Sequence, residues 1–169
     1  LYTYANLNIY NCSFIGNNCT TNNGGGVIGA CYYISVPHIY VENSLFKDNE
    51  NICWDLDELS TTGTGRGGAI SLMDEGSLEV LNSTFIKNSA SIGTAICALE
   101  MGSYGSPDVI IKGNKFIDHT RARDVIVVTV KDTICDISDN YYLNNSIEFS
   151  MINLEVLECG DESAKLKVR

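Results

Sequence analysis

The feature that most constrains the fold of this chain is a short motif that recurs along its length. Asn-x-x-Phe-x-x-Asn occurs intact three times, and two degenerate copies follow. The copies occupy residues 11–17, 43–49, 82–88, 113–119 and 139–145, with the aromatic residues Phe14, Phe46, Phe85, Phe116 and Tyr142. In each copy, the positions five and seven before the aromatic residue are apolar. Because alternate residues of a strand face the same side, each copy predicts a strand with an inward apolar face.

A second motif, Gly-Gly followed by two apolar residues, occurs at 25–28 and 67–70, with eroded versions starting at residues 93 and 123. Glycine before a short apolar strand fits a tight corner. The aromatic residues of successive copies are 26 to 39 residues apart, so loop length varies while the strand pattern stays constant. This combination is typical of a solenoid.

The sequence therefore predicts an all-β protein in which residues 1–150 form a right-handed parallel β-helix of about five coils. The hand follows from the strong preference of parallel crossover connections. We expect the aromatic residues to stack in a column inside the helix. We also expect Asn11, Asn43 and Asn82 to form a buried ladder that bonds amide to amide or to the backbone of the corners.

Residues 151–169 lie beyond the last copy and show a different pattern. Two alternating strands flank a turn-rich segment at residues 159–162, which predicts a β-hairpin. Such a hairpin would cap the open edge of the solenoid or begin a following domain.

The paired motifs resemble those of the polymorphic outer-membrane repeat proteins of chlamydiae. The variants Asn-Cys-x-Phe at 11–14 and Asn-Tyr-Tyr at 140–142 are similar to those of the adhesin-like surface proteins of methanogenic archaea. The resemblance covers about residues 7–150. It implies an extracellular, cell-surface parallel β-helix that belongs to a larger surface protein and takes part in attachment.

The net charge and the hydropathy of the chain argue against certain classes of partner. The net charge is −10, which argues against nucleic acid and anionic membranes as partners because both are bound by dense basic surfaces. The longest apolar run, residues 125–128, is too short for membrane insertion. The chain begins with Leu1 and shows no leader sequence, so we expect it to be a piece of a longer protein.

The candidate ligand-binding residues lie in insertions between strands. The largest, 51–65, carries Trp54 beside the carboxylates Asp55, Asp57 and Glu58. The indole ring can stack on a sugar while the carboxylates bind its hydroxyls; alternatively, Asp55, Asp57 and Glu58 hold Ca²⁺, or the segment is a solvated acidic loop. Other aromatic candidates lie in the 30–38 and 99–107 insertions, namely Tyr32, Tyr33 and Tyr104. We expect these residues to contact a surface glycan or protein of another cell.

Two alternatives to a non-enzymatic adhesin remain. A polysaccharide lyase or glycoside hydrolase would use paired carboxylates, and the candidates are Asp55, Asp57, Asp74, Glu75, Asp118 and Asp124. The one local basic cluster is His119, Arg121 and Arg123. The other alternative is a passive stalk that spaces further domains from the cell wall. Apart from the Ca²⁺ alternative, no cofactor is expected.

The cysteines and the glycosylation sequons give two further predictions. We expect Cys97 and Cys135 to be small core residues, and one disulfide is plausible among Cys12, Cys19, Cys31 and Cys53 in an oxidising compartment. Asn-x-Ser/Thr occurs at Asn11, Asn18, Asn82 and Asn144. Because Asn11 and Asn82 are assigned to the buried ladder, we expect only Asn18 and Asn144 to be open to glycosylation.

Overall fold

The computed structural model describes residues 1–3, 5–20, 24–32, 35–52, 65–101, 104–119, 124–145, 150–156 and 165–168. Within these ranges the chain is all-β and contains no helix. The strands are, in chain order, β1 (Tyr2–Thr3), β2 (Leu7–Tyr10), β3 (Ser13–Ile15), β4 (Asn18–Cys19), β5 (Ile28–Cys31), β6 (His38–Glu42), β7 (Leu45–Lys47), β8 (Glu50–Asn51), β9 (Ile70–Met73), β10 (Ser77–Leu81), β11 (Thr84–Ile86), β12 (Ser89–Ala90), β13 (Ile96–Leu99), β14 (Asp108–Lys112), β15 (Lys115–Ile117), β16 (Asp124–Val130), β17 (Ile134–Ser138), β18 (Tyr141–Leu143), β19 (Ser150–Val156) and β20 (Lys165–Val168).

The strands form four parallel sheets stacked along one axis. Sheet A has the order β1-β5-β9-β13-β16-β19, and sheet B has the order β2-β6-β10-β14-β17-β20. Sheet C runs β3-β7-β11-β15-β18, and sheet D runs β4-β8-β12. Strands β1–β12 belong to sheets A, B, C and D in turn, three times over, and β13–β20 belong to sheets A, B and C in turn without a strand in sheet D. Each passage through the sheets forms one coil. This is the arrangement of a β-solenoid-like stack.

The aromatic column is confirmed. Strand pairing places Phe46 between Phe14 and Phe85, and continues the column through Phe116 to Tyr142. The rings stack with centroid separations between 4.9 and 5.3 Å. The three central phenylalanines are fully buried. Since strands in a sheet are about 4.8 Å apart, equivalent side chains of neighbouring coils meet at ring-stacking distance.

The glycine motif forms the corner that leads into sheet A. Gly67 has φ of 61°, in the left-handed region that glycine adopts without strain. A Cβ at Gly68 would collide with the backbone carbonyl oxygen of Thr94 in the next coil. The motif therefore provides both the turn and the close stacking of coils.

The predicted buried ladder of Asn11, Asn43 and Asn82 is wrong. All three residues are exposed, and their φ angles are 52°, 51° and 47°. They form the corner between sheets B and C, where the chain needs a left-handed residue, and asparagine is among the few non-glycine residues that tolerate it. Gly113 and Asp139 continue this row with φ of 68° and 58°. We call Asn11, Asn43, Asn82, Gly113 and Asp139 the B–C corner row.

A ladder of hydrogen-bonded side chains is formed instead by the residue three positions after each aromatic; its three central members, Asn49, Asn88 and His119, are buried, whereas Asn145 is partly exposed and Asn17 is exposed. Its members are Asn17, Asn49, Asn88, His119 and Asn145. Asn49 donates from its backbone N and its Nδ2 to Asn88 Oδ1, at 3.1 and 2.9 Å. The Asn88 Nδ2 in turn donates to the Phe46 carbonyl oxygen at 3.0 Å. Each amide therefore joins adjacent coils, and we call this set the axial ladder.

A second set of side chains supports the backbone just before sheet C. The backbone N of Ser44 donates to Ser83 Oγ at 3.1 Å, and that of Ser83 donates to Asn114 Oδ1 at 2.8 Å. The backbone N of Asn114 donates to Asn140 Oδ1 at 2.9 Å. These bonds provide acceptors for backbone N–H groups at the corner, where the chain lies outside the β-sheets.

The strands of the C-terminal segment do not pair with each other as the predicted hairpin requires. Strand β19 pairs with β16, and β20 pairs with β17, both in parallel. They add one strand each to sheets A and B. An alternating pattern specifies which face of a strand is buried but not which strand is its partner, so it fits a further coil as well as a hairpin. A cap or a following domain at 151–169 stays a prediction.

We predict that Phe85→Ala lowers the unfolding free energy by about 3–5 kcal/mol, because it removes a fully buried ring from the middle of the column. Urea unfolding followed by circular dichroism measures this loss. Thr84→Ala, at the neighbouring outward position, is the control and should cost less than about 1 kcal/mol. A loss below about 1 kcal/mol for Phe85→Ala would contradict the stacked column.

We predict that Asn88→Ala lowers the unfolding free energy by roughly 2–4 kcal/mol, because it leaves buried groups of Asn49 and Phe46 without their partners. The control is Asn82→Gly, which keeps the left-handed corner and removes an exposed amide. Equal effects of the two substitutions in the same unfolding assay would show that the axial ladder is not the stabilising element.

Candidate binding surface

The predicted binding residues fall into two groups. Trp54, Asp55, Asp57, Glu58 and Tyr33 lie outside the described residues, so glycan or Ca²⁺ binding by the 51–65 insertion stays a prediction. Tyr32 and Tyr104 are described.

Tyr32 and Tyr104 lie against each other although they are far apart in the sequence. Their ring centroids are 5.5 Å apart and the rings are tilted by 41°. Tyr32 follows β5 and Tyr104 belongs to the connection after β13, while β9 lies between these strands in sheet A. The tyrosine pair therefore bridges the coil between them.

Hydrogen bonds donated by backbone N atoms hold the three connections from sheet A to sheet B together. The backbone N of Tyr32 donates to the Met73 carbonyl oxygen at 3.1 Å. In the next coil, Asp74 has φ of 63° and its Oδ1 accepts a hydrogen bond of 2.8 Å from the backbone N of Met101. The turn at Asp74 is shorter than the connections on either side of it, whose tyrosines meet.

These connections create a surface of mixed chemistry, which we call the A–B corner surface: Tyr32, Asp74, Glu75, Met101 and Tyr104. Tyr104 is 59% exposed and Met101 is 49% exposed, and Glu75 is exposed beside them. Aromatic and thioether groups supply apolar contact area, and the carboxylates accept hydrogen bonds. This combination suits the hydroxyl-rich face of a sugar or a mixed protein surface.

The base of the connection after β13 is fixed by Glu100. Its Oε2 accepts a hydrogen bond of 2.7 Å from Ser106 Oγ, and its Oε1 lies 3.8 Å from Lys131 Nζ. The Glu100 side chain is 9% exposed, whereas that of Lys131 is 43% exposed, so the carboxylate is shielded from water and the lysine lies at the surface. The connection that carries Tyr104 is therefore attached at its base to the next coil.

A second aromatic pair was missed at the sequence level. Tyr10 and Tyr40 lie on the outer face of sheet B with ring centroids 5.3 Å apart. Tyr40 Oη donates to Glu42 Oε2 at 3.0 Å, and partial desolvation together with this carboxylate raises the pKa of Tyr40. The signal was present in the sequence, because both tyrosines occupy outward positions of strands whose inward positions are apolar.

The candidate carboxylates of the enzyme alternative lie at separate places. Asp74 and Glu75 belong to the A–B corner surface, whereas Asp118 lines an open cleft with Asp48 and Lys87 beyond sheet C. Asp124 is buried at the start of β16. Asp55 and Asp57 lie outside the described residues, and the enzyme alternative stays a prediction.

His119 is not part of a surface basic cluster; it is 1% exposed and belongs to the axial ladder. Its backbone N and Nδ1 donate to Asn145 Oδ1 at 2.9 and 3.1 Å, and its Nε2 accepts from Asn88 Nδ2 at 3.5 Å. Burial lowers the pKa of His119 from 6.5 to about 4, although the Asn145 bond and Asp118 oppose this shift. His119 is therefore neutral near pH 7. The other cluster members, Arg121 and Arg123, lie outside the described residues.

The expectation for Cys97 and Cys135 is confirmed, since both side chains are buried. Burial raises the pKa of Cys97 to about 12 and that of Cys135 to about 11, so both are thiols near pH 7. The described residues contain no group of three or more His, Cys, Asp or Glu side chains placed to hold a metal ion. No helix in the described ranges has the length and apolar character to span a membrane.

We compared the chain with known protein families, curated proteins and solved structures. No protein family model, curated protein or solved structure matches the chain. The resemblance to adhesin-like repeat proteins therefore stays a prediction that rests on the motifs.

We predict that His119 makes the protein acid-sensitive. Because its pKa is about 4 in the folded chain and about 6.5 when unfolded, the unfolded state binds a proton first as the pH falls. Above about pH 6.5, His119 is neutral in both states and does not make the unfolding free energy depend on pH. Between about pH 6.5 and about pH 4, its protonation in the unfolded state lowers the unfolding free energy by about 3 kcal/mol. Denaturant unfolding across this pH range measures the decline.

His119→Asn is the matched control, because asparagine occupies the same ladder position in four other coils. Its acid-side decline should be smaller than that of the wild type by about 3 kcal/mol. Identical pH profiles for the two proteins would show that protonation of His119 does not oppose folding.

Proposed function

We propose that the chain is a non-enzymatic, adhesin-like domain that binds a surface glycan or protein of another cell through its A–B corner surface. The observation that carries this proposal is the contact of Tyr32 with Tyr104, at 5.5 Å, across an intervening coil. Two candidate binding residues chosen from the sequence thus meet at one place, with exposed Met101 and Glu75 beside them.

The support for binding is that a rigid scaffold presents adaptable groups. The three connections are tied to the solenoid by backbone bonds and by the Glu100 contacts, so little order has to be created on binding. Tyrosine rings offer large contact area at a small cost in side-chain entropy. We propose that Trp54 and the acidic residues of the 51–65 insertion form a second part of the binding surface.

We further propose that the stack is a right-handed parallel β-helix. The chain passes repeatedly through sheets A, B and C in a constant order, with sheet D following in the first three coils, which supports a helical winding. Parallel crossovers are right-handed in nearly all proteins. We assign the domain to the extracellular cell surface, as part of a larger surface protein. The acidic composition and the variable connections on a constant frame support this assignment.

A passive stalk is the second candidate. The axial ladder and the aromatic column run through all five coils of sheet C, which favours a rod that spaces other domains. A stalk requires no ligand for the A–B corner surface, so binding experiments separate the two functions.

We predict that the purified domain is retained on at least one member of a panel of whole microbial cells and surface polysaccharides. Tyr104→Ala should weaken this retention at least about tenfold, since exposed tyrosines at binding surfaces contribute strongly to affinity. Tyr141→Ala on the outer face of sheet C is the control, because Tyr141 is similarly exposed at 54% and lies on another side.

Equal retention of the Tyr104→Ala and Tyr141→Ala proteins would place the contact elsewhere, and replacing the 51–65 insertion with Gly-Ser then tests that segment. Absence of retention on every cell and polysaccharide would favour the stalk.

A further inference from the structure

Two rows of asparagines among the described residues differ in what their side chains contact. In the axial ladder, the side-chain amides of Asn49 and Asn88 form hydrogen bonds between coils. In the B–C corner row, the side chains of Asn11, Asn43 and Asn82 are exposed and make no hydrogen bond to any described residue. A substituent on the first row would break the ladder, whereas a substituent on the second would cost no internal bond.

The sequons follow this division. All four Asn-x-Ser/Thr tripeptides place the asparagine at an exposed position, and their asparagines are Asn11, Asn18, Asn82 and Asn144. The ladder asparagines all lack Ser or Thr two residues later, and they are Asn17, Asn49, Asn88 and Asn145. The expectation that Asn11 and Asn82 are closed to glycosylation rested on their burial, which the structure contradicts.

The sequon at Asn82 faces an open groove along the B–C corner, which the sequon at Asn11 also lines. The groove is lined by Asn82, Thr84 and Asn43, so the amide and the sequon hydroxyl share one surface. On the other side, Gly113 occupies the next place in the row, and a Cβ there would lie 2.6 Å from Asn82 Oδ1. Glycine at 113 therefore provides the room that the Asn82 amide oxygen occupies, and the groove lies on the opposite side of the amide.

We propose that Asn82 is an acceptor site for an N-linked glycan. The Asn82 Nδ2 would form a bond to the anomeric carbon of an oligosaccharide carried on a lipid pyrophosphate. The bond from that carbon to the pyrophosphate oxygen breaks, the lipid pyrophosphate leaves with the electron pair, and the amide loses one proton to a base of the transferring enzyme. The product places a bulky hydrophilic group at the corner between sheets B and C, away from the A–B corner surface.

The test is secretion of the chain from a eukaryotic host that performs N-glycosylation, followed by intact mass measurement and glycopeptide mapping. We expect the 82–84 tripeptide to carry a glycan that peptide N-glycosidase removes, converting Asn82 to Asp. The host secretes the chain whatever its native location is. The result at Asn82 therefore does not depend on whether the assignment to the cell surface is correct.

Two variants act as matched controls. Thr84→Ala abolishes the sequon without changing the left-handed corner and should remove one glycan. Leu45→Thr creates a sequon at Asn43, which has the same corner conformation, and should add one; residue 45 pairs between Ser13 and Thr84 in sheet C, so threonine suits the position. The melting temperatures of the glycosylated and Thr84→Ala proteins should agree within about 2 °C.

An unmodified Asn82 in the secreted, folded chain would overturn the proposal, whether or not Asn43 of the Leu45→Thr protein is modified. It would also be overturned if modification at Asn82 prevented secretion of folded protein while the Thr84→Ala protein was secreted normally.

Discussion

The structure depends on hydrogen bonds that run along the solenoid axis from side chains at the corners. Parallel pairing satisfies the backbone within each sheet, but where the chain turns between sheets its donors and acceptors need other partners. Asn88 shows how this is met: its oxygen accepts from the coil before it in the stack, and its nitrogen donates to a carbonyl oxygen of that coil. Because these bonds join equivalent positions, they also fix the register that stacks the aromatic rings.

Sequence reasoning identified the strands and the aromatic column because both follow from spacing. It assigned the wrong asparagine to the interior because each motif contains two, and residue type alone does not distinguish a left-handed corner from a ladder. The degenerate copies held the distinguishing signal. There the first asparagine becomes Gly113 or Asp139, which tolerate positive φ, while the last position keeps a polar ring or amide, His119 or Asn145.

The sequence alone does not predict which connections between strands contact each other. Tyr32 and Tyr104 were candidates as aromatic residues in insertions, but their meeting depends on the short turn after β9 and on the parallel stacking that aligns β5, β9 and β13. The C-terminal segment illustrates the same limit, since strand alternation does not name the partner strand. Local pattern determines which side of a strand is buried, whereas the length of the intervening connections determines what lies beside it.

The contact between Tyr32 and Tyr104 requires a fixed number of coils between them. Its two residues belong to coils that are two steps apart, about 9.6 Å at the usual strand separation, and the rings reach across that distance. Duplication of one coil between them would preserve every ladder bond and stacked ring, yet it would separate the tyrosines by one further step. Coil number in this stretch is therefore constrained by the contact between its connections as well as by the stacking of the coils.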